Sequence, residues 1–119
     1  MAKYKCTLKS DFIEAFTSIK ESFNHLSSST TLESEEHQTF ADINYGALVF
    51  ERYSFFGGNR VSLSVFLVGN SDTTNVMMFT SGGSQAMLFK INTVGEETFL
   101  DKAIDCLKKS FKEKIISEN

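Results

Sequence analysis

Apolar positions follow two spacings in the first quarter of the chain. Over residues 3–9 they alternate with three lysines and a threonine, which is the period of a strand with one face exposed to solvent. From Phe12 to Leu26 they recur every three or four positions, as on one side of a helix. Asp11 can cap the start of this helix, and the hydroxyl-rich stretch 27–30 is expected to end it.

The middle of the chain predicts several strands separated by turn residues. The first is weak and solvent-facing because it contains several glutamates, and the others are rich in Val, Leu, Phe and Tyr. Paired glycines and a Gly-Asn-Ser-Asp stretch mark the turns between them. The predicted strands cover residues 31–36, 41–54, 61–68, 76–80 and 86–92.

The last segment has the clearest helical spacing. Thr93 and Glu96 have the spacing of a capping box, which places the helix start there. One apolar stripe then continues toward the end of the chain. Its members are Phe99, Leu100, Ala103, Ile104, Leu107, Phe111 and Ile115.

This order predicts a single domain over residues 1–119 with the α+β arrangement β-α-β-β-β-β-β-α. Consecutive strands with short turns favour an antiparallel meander, and both helices are expected on one face of it. The first choice of architecture is the β-α-β4-α arrangement of TATA-binding-protein repeats. The second is a small helix-grip fold, in which the sheet curls round the last helix.

Composition and charge exclude several classes of protein. Twelve basic and fifteen acidic side chains give a net charge of −3, so nothing draws the chain as a whole toward nucleic acid or anionic lipid. No signal peptide or bilayer-length apolar run is present, and a cytoplasmic location is expected. Cys6 and Cys106 are therefore interpreted as small buried or half-buried thiols.

No catalytic or metal-binding pattern stands out. His25 and His37 lack companion ligands in sequence, and both are interpreted as surface residues. Glu33, Glu35 and Glu36 have no apolar setting that would raise a carboxyl pKa, so a wet turn is the better interpretation. We expect no cofactor and no metal, and the function class stays open between a binding domain and an enzyme with unrecognised acid–base groups.

Two glycine-rich loops are the only candidate ligand site. Each is explained by a hairpin turn, but glycine N–H groups beside hydroxyls and an arginine also suit a small anion. In a meander both loops fall at the same end of the sheet, with the predicted helix start at Thr93 at the other end. The candidate site residues are Gly57, Gly58, Asn59, Arg60, Ser81, Gly82, Gly83, Ser84 and Gln85.

Strand residues of both parities are apolar, although two helices can cover only one face of the sheet. A second subunit, an apolar ligand or curling of the sheet would cover the other face, and a homodimer through that face is expected. The residues concerned are Leu48 and Phe50 beside Val49, Phe66 and Val68 beside Val65 and Leu67, and Met87 and Phe89 beside Leu88.

Three segments of the chain resemble a family of short bacterial proteins known only as a domain of unknown function. They run from Glu51 to Leu63, from Thr80 to Asn92 and from Val94 to Asp101, and the resemblance extends over the whole chain. It implies a stand-alone intracellular domain, but no activity, substrate or cofactor. The first hypothesis is a non-catalytic domain that binds a small polar or anionic ligand or a protein partner. The alternatives are a homo-oligomeric structural protein and an enzyme with unrecognised acid–base residues.

The apolar stripe of the last helix gives a stability prediction. The helix residues Phe16, Phe23, Phe99, Leu100, Ile104, Leu107 and Phe111 are expected to pack on Val61, Leu63, Val65 and Leu67. Replacing Leu107 or Phe111 by Ala should lower the free energy of unfolding by roughly 2–5 kcal/mol, because apolar transfer energy is lost and a cavity forms. Chemical denaturation measures the change, and a wild-type midpoint in both variants would mean that the wrong helix face was assigned to the core.

Overall fold

The computed structural model describes residues 2–53, 60–82 and 89–119, and for 89–98 it describes the backbone only. Strands and helices follow one another in the order β-α-β-β-β-β-α-β. The elements are β1 (Ala2–Leu8), α1 (Phe12–Phe23), β2 (Thr31–Phe40), β3 (Ile43–Tyr53), β4 (Arg60–Gly69), β5 (Thr74–Gly82), α2 (Phe89–Phe111) and β6 (Ile115–Glu118).

The strands form one antiparallel sheet in the order β2-β3-β4-β5-β1-β6. Strands β2 to β5 are a meander, and β1 then pairs with β5 from the start of the chain. The predicted α+β class and antiparallel sheet with two helices are confirmed. The first seven elements have the β-α-β4-α order of the preferred architecture, and β6 adds a strand after them.

Both helices pack on the same face of this sheet. Strand partners in register project to one face, and the row Leu48–Val65–Met78–Tyr4 is buried throughout. Helices α1 and α2 both contact β4, and they also contact each other. The predicted core is confirmed: its helix residues are buried except Ile104, which is half-buried against the core, and its four β4 residues are fully buried.

One predicted strand is wrong. Residues 89–92 were expected to end a strand over 86–92, but they form the first turn of α2, and residues 86–88 lie outside the described part of the chain. A short apolar run is compatible with a strand or with one end of a helix, and here it is the start of a helix of 23 residues. Thr93, the expected helix start, is therefore inside α2.

The C-terminal end also differs from the prediction. Ile115 was assigned to the helical stripe, but α2 ends at Phe111 and Ile115 begins β6. Lys112 takes a positive φ of 40°, which breaks the helical path. The chain then pairs with the outer edge of β1, where Ile115 lies opposite Leu8. The unpaired N–H and C=O groups at the edge of β1 form hydrogen bonds with the backbone of β6. The local sequence of residues 115–118 does not reveal that β1 is their pairing partner.

Strand β2 is longer than predicted and is paired from end to end. It runs to Phe40 rather than residue 36, and its register with β3 extends from Thr31 opposite Glu51 to Phe40 opposite Ile43. All but one of its ten residues are exposed, which confirms that its glutamates face solvent, but Glu33, Glu35 and Glu36 lie within a strand and not in the expected turn. It forms one edge of the sheet.

The start of α1 is fastened to the turn between β4 and β5. Asp11 caps the helix as predicted, because its carboxylate accepts a hydrogen bond from the Glu14 N–H at 3.1 Å. The Phe12 N–H donates to the Asn70 carbonyl at 2.9 Å, and the buried Thr74 hydroxyl donates to the Ser10 carbonyl at 2.9 Å. These bonds satisfy backbone groups that the helix end leaves open, and they fix where α1 crosses the sheet.

Gly46 lets α1 approach β3 closely. A Cβ atom at this position would lie 2.7 Å from the Glu36 carbonyl oxygen and 2.8 Å from Cε1 of Phe16. Phe16 in turn stacks on Phe12 with ring centroids 5.6 Å apart. The absence of a side chain at Gly46 is therefore what permits this aromatic pair to pack on the sheet.

Replacing Gly46 by Ala should lower the free energy of unfolding by about 1–3 kcal/mol, since the new methyl group forces Phe16 and the β2 backbone to move. Urea unfolding measures the change. Phe16→Leu in the Gly46→Ala background should recover part of the loss, because the two sites are in contact. Strictly additive effects would show that Phe16 does not limit the space at Gly46.

Candidate functional site

The structure brings the described members of the predicted anion site together at one end of the sheet. Arg60 lies opposite Tyr53, and Gly82 lies opposite Val61, so the ends of β3 and β5 flank the start of β4. The start of β2 lies at the same level, since Thr31 pairs with Glu51. The other predicted members, Gly57, Gly58, Asn59, Gly83, Ser84 and Gln85, lie outside the described residues.

The charge of Arg60 already has partners within the fold. Its guanidinium lies 3.3 Å from a carboxylate oxygen of Glu51 and 5.2 Å from the centroid of the Tyr53 ring. Ser81 is exposed, and its carbonyl accepts a hydrogen bond from the Ser62 hydroxyl at 3.3 Å. An anion would compete with Glu51 for Arg60, and the anion site stays a prediction.

Arg52 is a residue at this end that the sequence-based site did not include. It points to the helix side of the sheet, and its guanidinium lies 4.8 Å from the centroid of the Phe99 ring. Burial lowers the pKa of this guanidinium from its usual value. Contact with Phe99 brings α2 to the double-glycine end, so the expectation that this helix starts at the opposite end is wrong.

The face of the sheet that carries no helix is rich in exposed apolar side chains; we call it the helix-free face. Among the described residues, nine large hydrophobic side chains are exposed, and all but Ile13 and Ile116 lie on this face. They include Phe66 and Val68, at 40% and 45% exposure. The full set is Phe40, Ile43, Tyr45, Tyr53, Phe66, Val68 and Met77.

These positions bear on the prediction that strands have apolar residues on both faces of the sheet. Phe66 and Val68 project from the helix-free face while their neighbours Val65 and Leu67 are buried under the helices. Val49 lies on the helix-free face, and Leu48 and Phe50 lie on the other. Phe89 was expected to contribute as well, but it belongs to α2.

A cleft of about 660 Å³ opens at the β4–β5–β1–β6 side of the helix-free face. Its apolar wall comes from Phe66, Val68 and Met77. Its polar wall is formed by residues of β1, β5 and the C-terminal segment: Lys5, Thr7, Asn75, Ser117, Glu118 and Asn119. Such a mixed, half-open depression suits binding of a partner or ligand with both apolar and polar parts.

Charge on the helix-free face is divided between its two sides. Lys3 and Lys5 project from β1, and Glu36 projects from β2 four strands away. None of the three takes part in an ion pair within the described residues. The paired Glu51 and Arg60 neutralise each other, so the face is basic on one side, acidic on the other and apolar between.

A polar cluster fastens β6 to the rest of the sheet. The Tyr4 phenol donates a hydrogen bond of 2.6 Å to the Glu118 carboxylate, and Nζ of Lys108 lies 3.6 Å from the same oxygen. The Tyr4 bond, with Lys108 contributing, lowers the pKa of Glu118, whereas burial raises the pKa of Tyr4. Burial also raises the pKa of the neighbouring Cys6 thiol to about 11, which keeps it protonated.

The cysteines and histidines have structural surroundings. Cys6 is buried, Cys106 is half-buried and both are free thiols, as predicted. His37 is exposed, with its ring 5.2 Å and 5.7 Å from those of Phe12 and Phe16. His25 lines a crevice of about 360 Å³ between the helices, beside Cys106. Among the described residues, no three histidine, cysteine or acidic side chains lie close enough to hold a metal ion.

Comparison with known proteins identifies the family. Residues 1–111 match a family of unknown function, DUF6054. The chain belongs to this family. The resemblance found in the sequence is thereby confirmed, and membership covers every described strand except β6. No curated protein matches the chain in sequence.

One solved structure has a remote similarity to this chain. The crystal structure of TTHA0849 from Thermus thermophilus aligns with 91% of this chain and 94% of its own, at 9% sequence identity and a TM-score of 0.37. That score is too low for any functional argument. No helix in the described part of this family member is both long and apolar enough to cross a bilayer.

The Tyr4–Glu118 bond predicts a pH-dependent stability. Since folding lowers the pKa of Glu118 below its ordinary value of 4.5, the stabilisation is present above that value and is lost as pH falls through the folded-state pKa. Tyr4→Phe should therefore destabilise the protein at neutral pH and have a smaller effect in acid. Urea midpoints at neutral and acidic pH measure this, and an equal loss at both would show that the bond does not depend on the Glu118 charge.

Proposed function

We propose that this protein is a non-catalytic binding domain and that the helix-free face is its binding surface. The observation that carries the proposal is the concentration of exposed apolar side chains on this one face. Exposed apolar patches of this kind on a folded protein mark sites of interaction, because water covers them poorly. The functional surface is then the broad face of the sheet, and the double-glycine end is at most a second site.

The composition of the face supports recognition of a partner rather than incidental exposure. Aromatic residues and methionine, which are enriched in interfaces, supply its centre: Phe66 and Phe79 meet edge to face at 6.0 Å, and Met77 lies beside Phe66. Lysines and a glutamate form its rim, at the outer strands. An apolar centre with a polar rim is the usual anatomy of a protein interface.

A second candidate ligand is a small amphipathic anion, and the cleft favours it. Phe66, Val68 and Met77 would contact the apolar part, while Lys5 would pair with the anionic group and Asn75 would donate a hydrogen bond. This candidate keeps the small-ligand hypothesis but moves the site from the double-glycine end to the helix-free face. It depends on Lys5, whereas binding of an apolar protein surface depends mainly on the aromatic centre.

The proposal is tested with 8-anilinonaphthalene-1-sulfonate, a dye with an apolar ring system and one negative charge. Dilute wild-type protein should enhance its fluorescence, and Phe66→Ser or Met77→Ser should weaken binding about fivefold, since a lost apolar contact is worth on the order of 1 kcal/mol. Ile13→Ser, at an exposed apolar position on α1, is the matched control and should bind as wild type does.

Lys5→Met separates the two candidates, because this variant lowers the affinity for the dye only if the dye's sulfonate pairs with Lys5. Circular dichroism confirms that each variant is folded. A wild-type protein that neither binds the dye nor changes its sedimentation when Phe66 is replaced would contradict the proposed function.

A further inference from the structure

The rows of side chains that cross the helix-free face are complementary to themselves. One row reads Lys5–Met77–Phe66–Ala47–Glu36, taken from the registers of β1, β5, β4, β3 and β2. Its centre is Phe66, and each end lies two strands away. Turned over about an axis through Phe66 along the strands, the row would place Lys5 opposite Glu36, and the long Met77 opposite the small Ala47.

The two neighbouring rows have the same property. In the row Thr7–Asn75–Val68–Tyr45–Gln38, the reversed copy sets Asn75 opposite Tyr45 and Thr7 opposite Gln38, and each pair joins hydrogen-bonding groups. The row on the other side is Lys3–Phe79–Ser64–Val49–Ser34, where reversal sets Phe79 opposite Val49. All three rows have their centre on β4.

We infer that the occupant of the helix-free face is a second copy of this chain, packed face to face about a two-fold axis parallel to the strands of β4. The inference rests on the proposed function, because it assigns the partner of the same surface. A two-fold axis in this direction makes the interface isologous, so that Lys5 meets Glu36 of the partner subunit twice. An axis across the strands would instead set β1 against β1 and bring like charges together.

The size of the face is sufficient for such a dimer. Four strand spacings and ten residues of strand give about 19 Å by 33 Å, or about 600 Å² before side-chain relief is counted. A standard interface buries roughly 800 Å² per partner, which is comparable. Packed sheets keep their strand directions within about 30° of each other, as this axis requires.

Sedimentation velocity over a range of concentrations tests the dimer. Wild-type protein should reach twice the 13.3 kDa mass of one chain. Phe66→Glu should give a monomer, because two carboxylates would meet at the axis, and Met77→Glu should do the same by placing a charge in the apolar centre. Both positions are exposed within the chain, so circular dichroism should remain that of the wild type.

A charge exchange tests the direction of the axis. Lys5→Glu and Glu36→Lys should each weaken dimerisation about tenfold, because each sets like charges opposite one another. The double variant should recover nearly the wild-type affinity. Lys109→Glu combined with Glu21→Lys, at exposed positions on the helix side, is the matched control and should leave the affinity unchanged.

Each other outcome overturns the inference in a defined way. A wild-type monomer at every concentration, with dye bound at Phe66, would exclude the second copy but leave the proposed function in place, with a small amphiphile or another protein as occupant. A dimer that survives Phe66→Glu would use another surface. A double charge exchange without recovery would exclude the axis along the strands. Absence of both dye binding and dimerisation would contradict both the proposed binding function and the proposed dimer.

Discussion

Two helices cover one face of a six-stranded sheet, and apolar residues on the other face have no cover within the described chain. This imbalance is the constraint from which the rest follows. Buried strand residues alternate with exposed ones, so β4 presents Val65 and Leu67 to the helices and Phe66 and Val68 to solvent. A strand of this kind serves two surfaces at once, and only one of them is the core of the domain.

The position of the helices is set by a few close contacts. Gly46 admits Phe16, and the hydrogen bonds from Phe12 to Asn70 and from Thr74 to Ser10 hold the start of α1 over the turn between β4 and β5. At the opposite end of the sheet, the contact between Arg52 and Phe99 holds α2 over the last residues of β3. The helices are thus fixed at both ends of the sheet, which leaves the helix-free face as the broad open surface.

Strand register turns the alternation of residues into a charge pattern. Lys3 and Lys5 reach the helix-free face from β1, and Glu36 reaches it from β2, with three strands between them in the sheet. In sequence these residues are about thirty positions apart, and nothing local relates them. A basic side, an apolar centre and an acidic side are properties of the assembled sheet.

Period-two and helical spacings in the sequence were enough to identify α1, the meander, the core of α2 and the excess of apolar strand residues, because these patterns are local. Residues 89–92 were misassigned because a short apolar run suits either a strand or a helix. The segment after Phe111 was misassigned because the open edge of β1 decided where the last strand pairs. Arg60 was a reasonable candidate for anion binding by residue type. In the folded chain its guanidinium forms an ion pair with Glu51 and lies over the Tyr53 ring. For β3 and β5, only the fold decided which alternate residues face the helices, because apolar residues stand at both parities of these strands until something packs on one side.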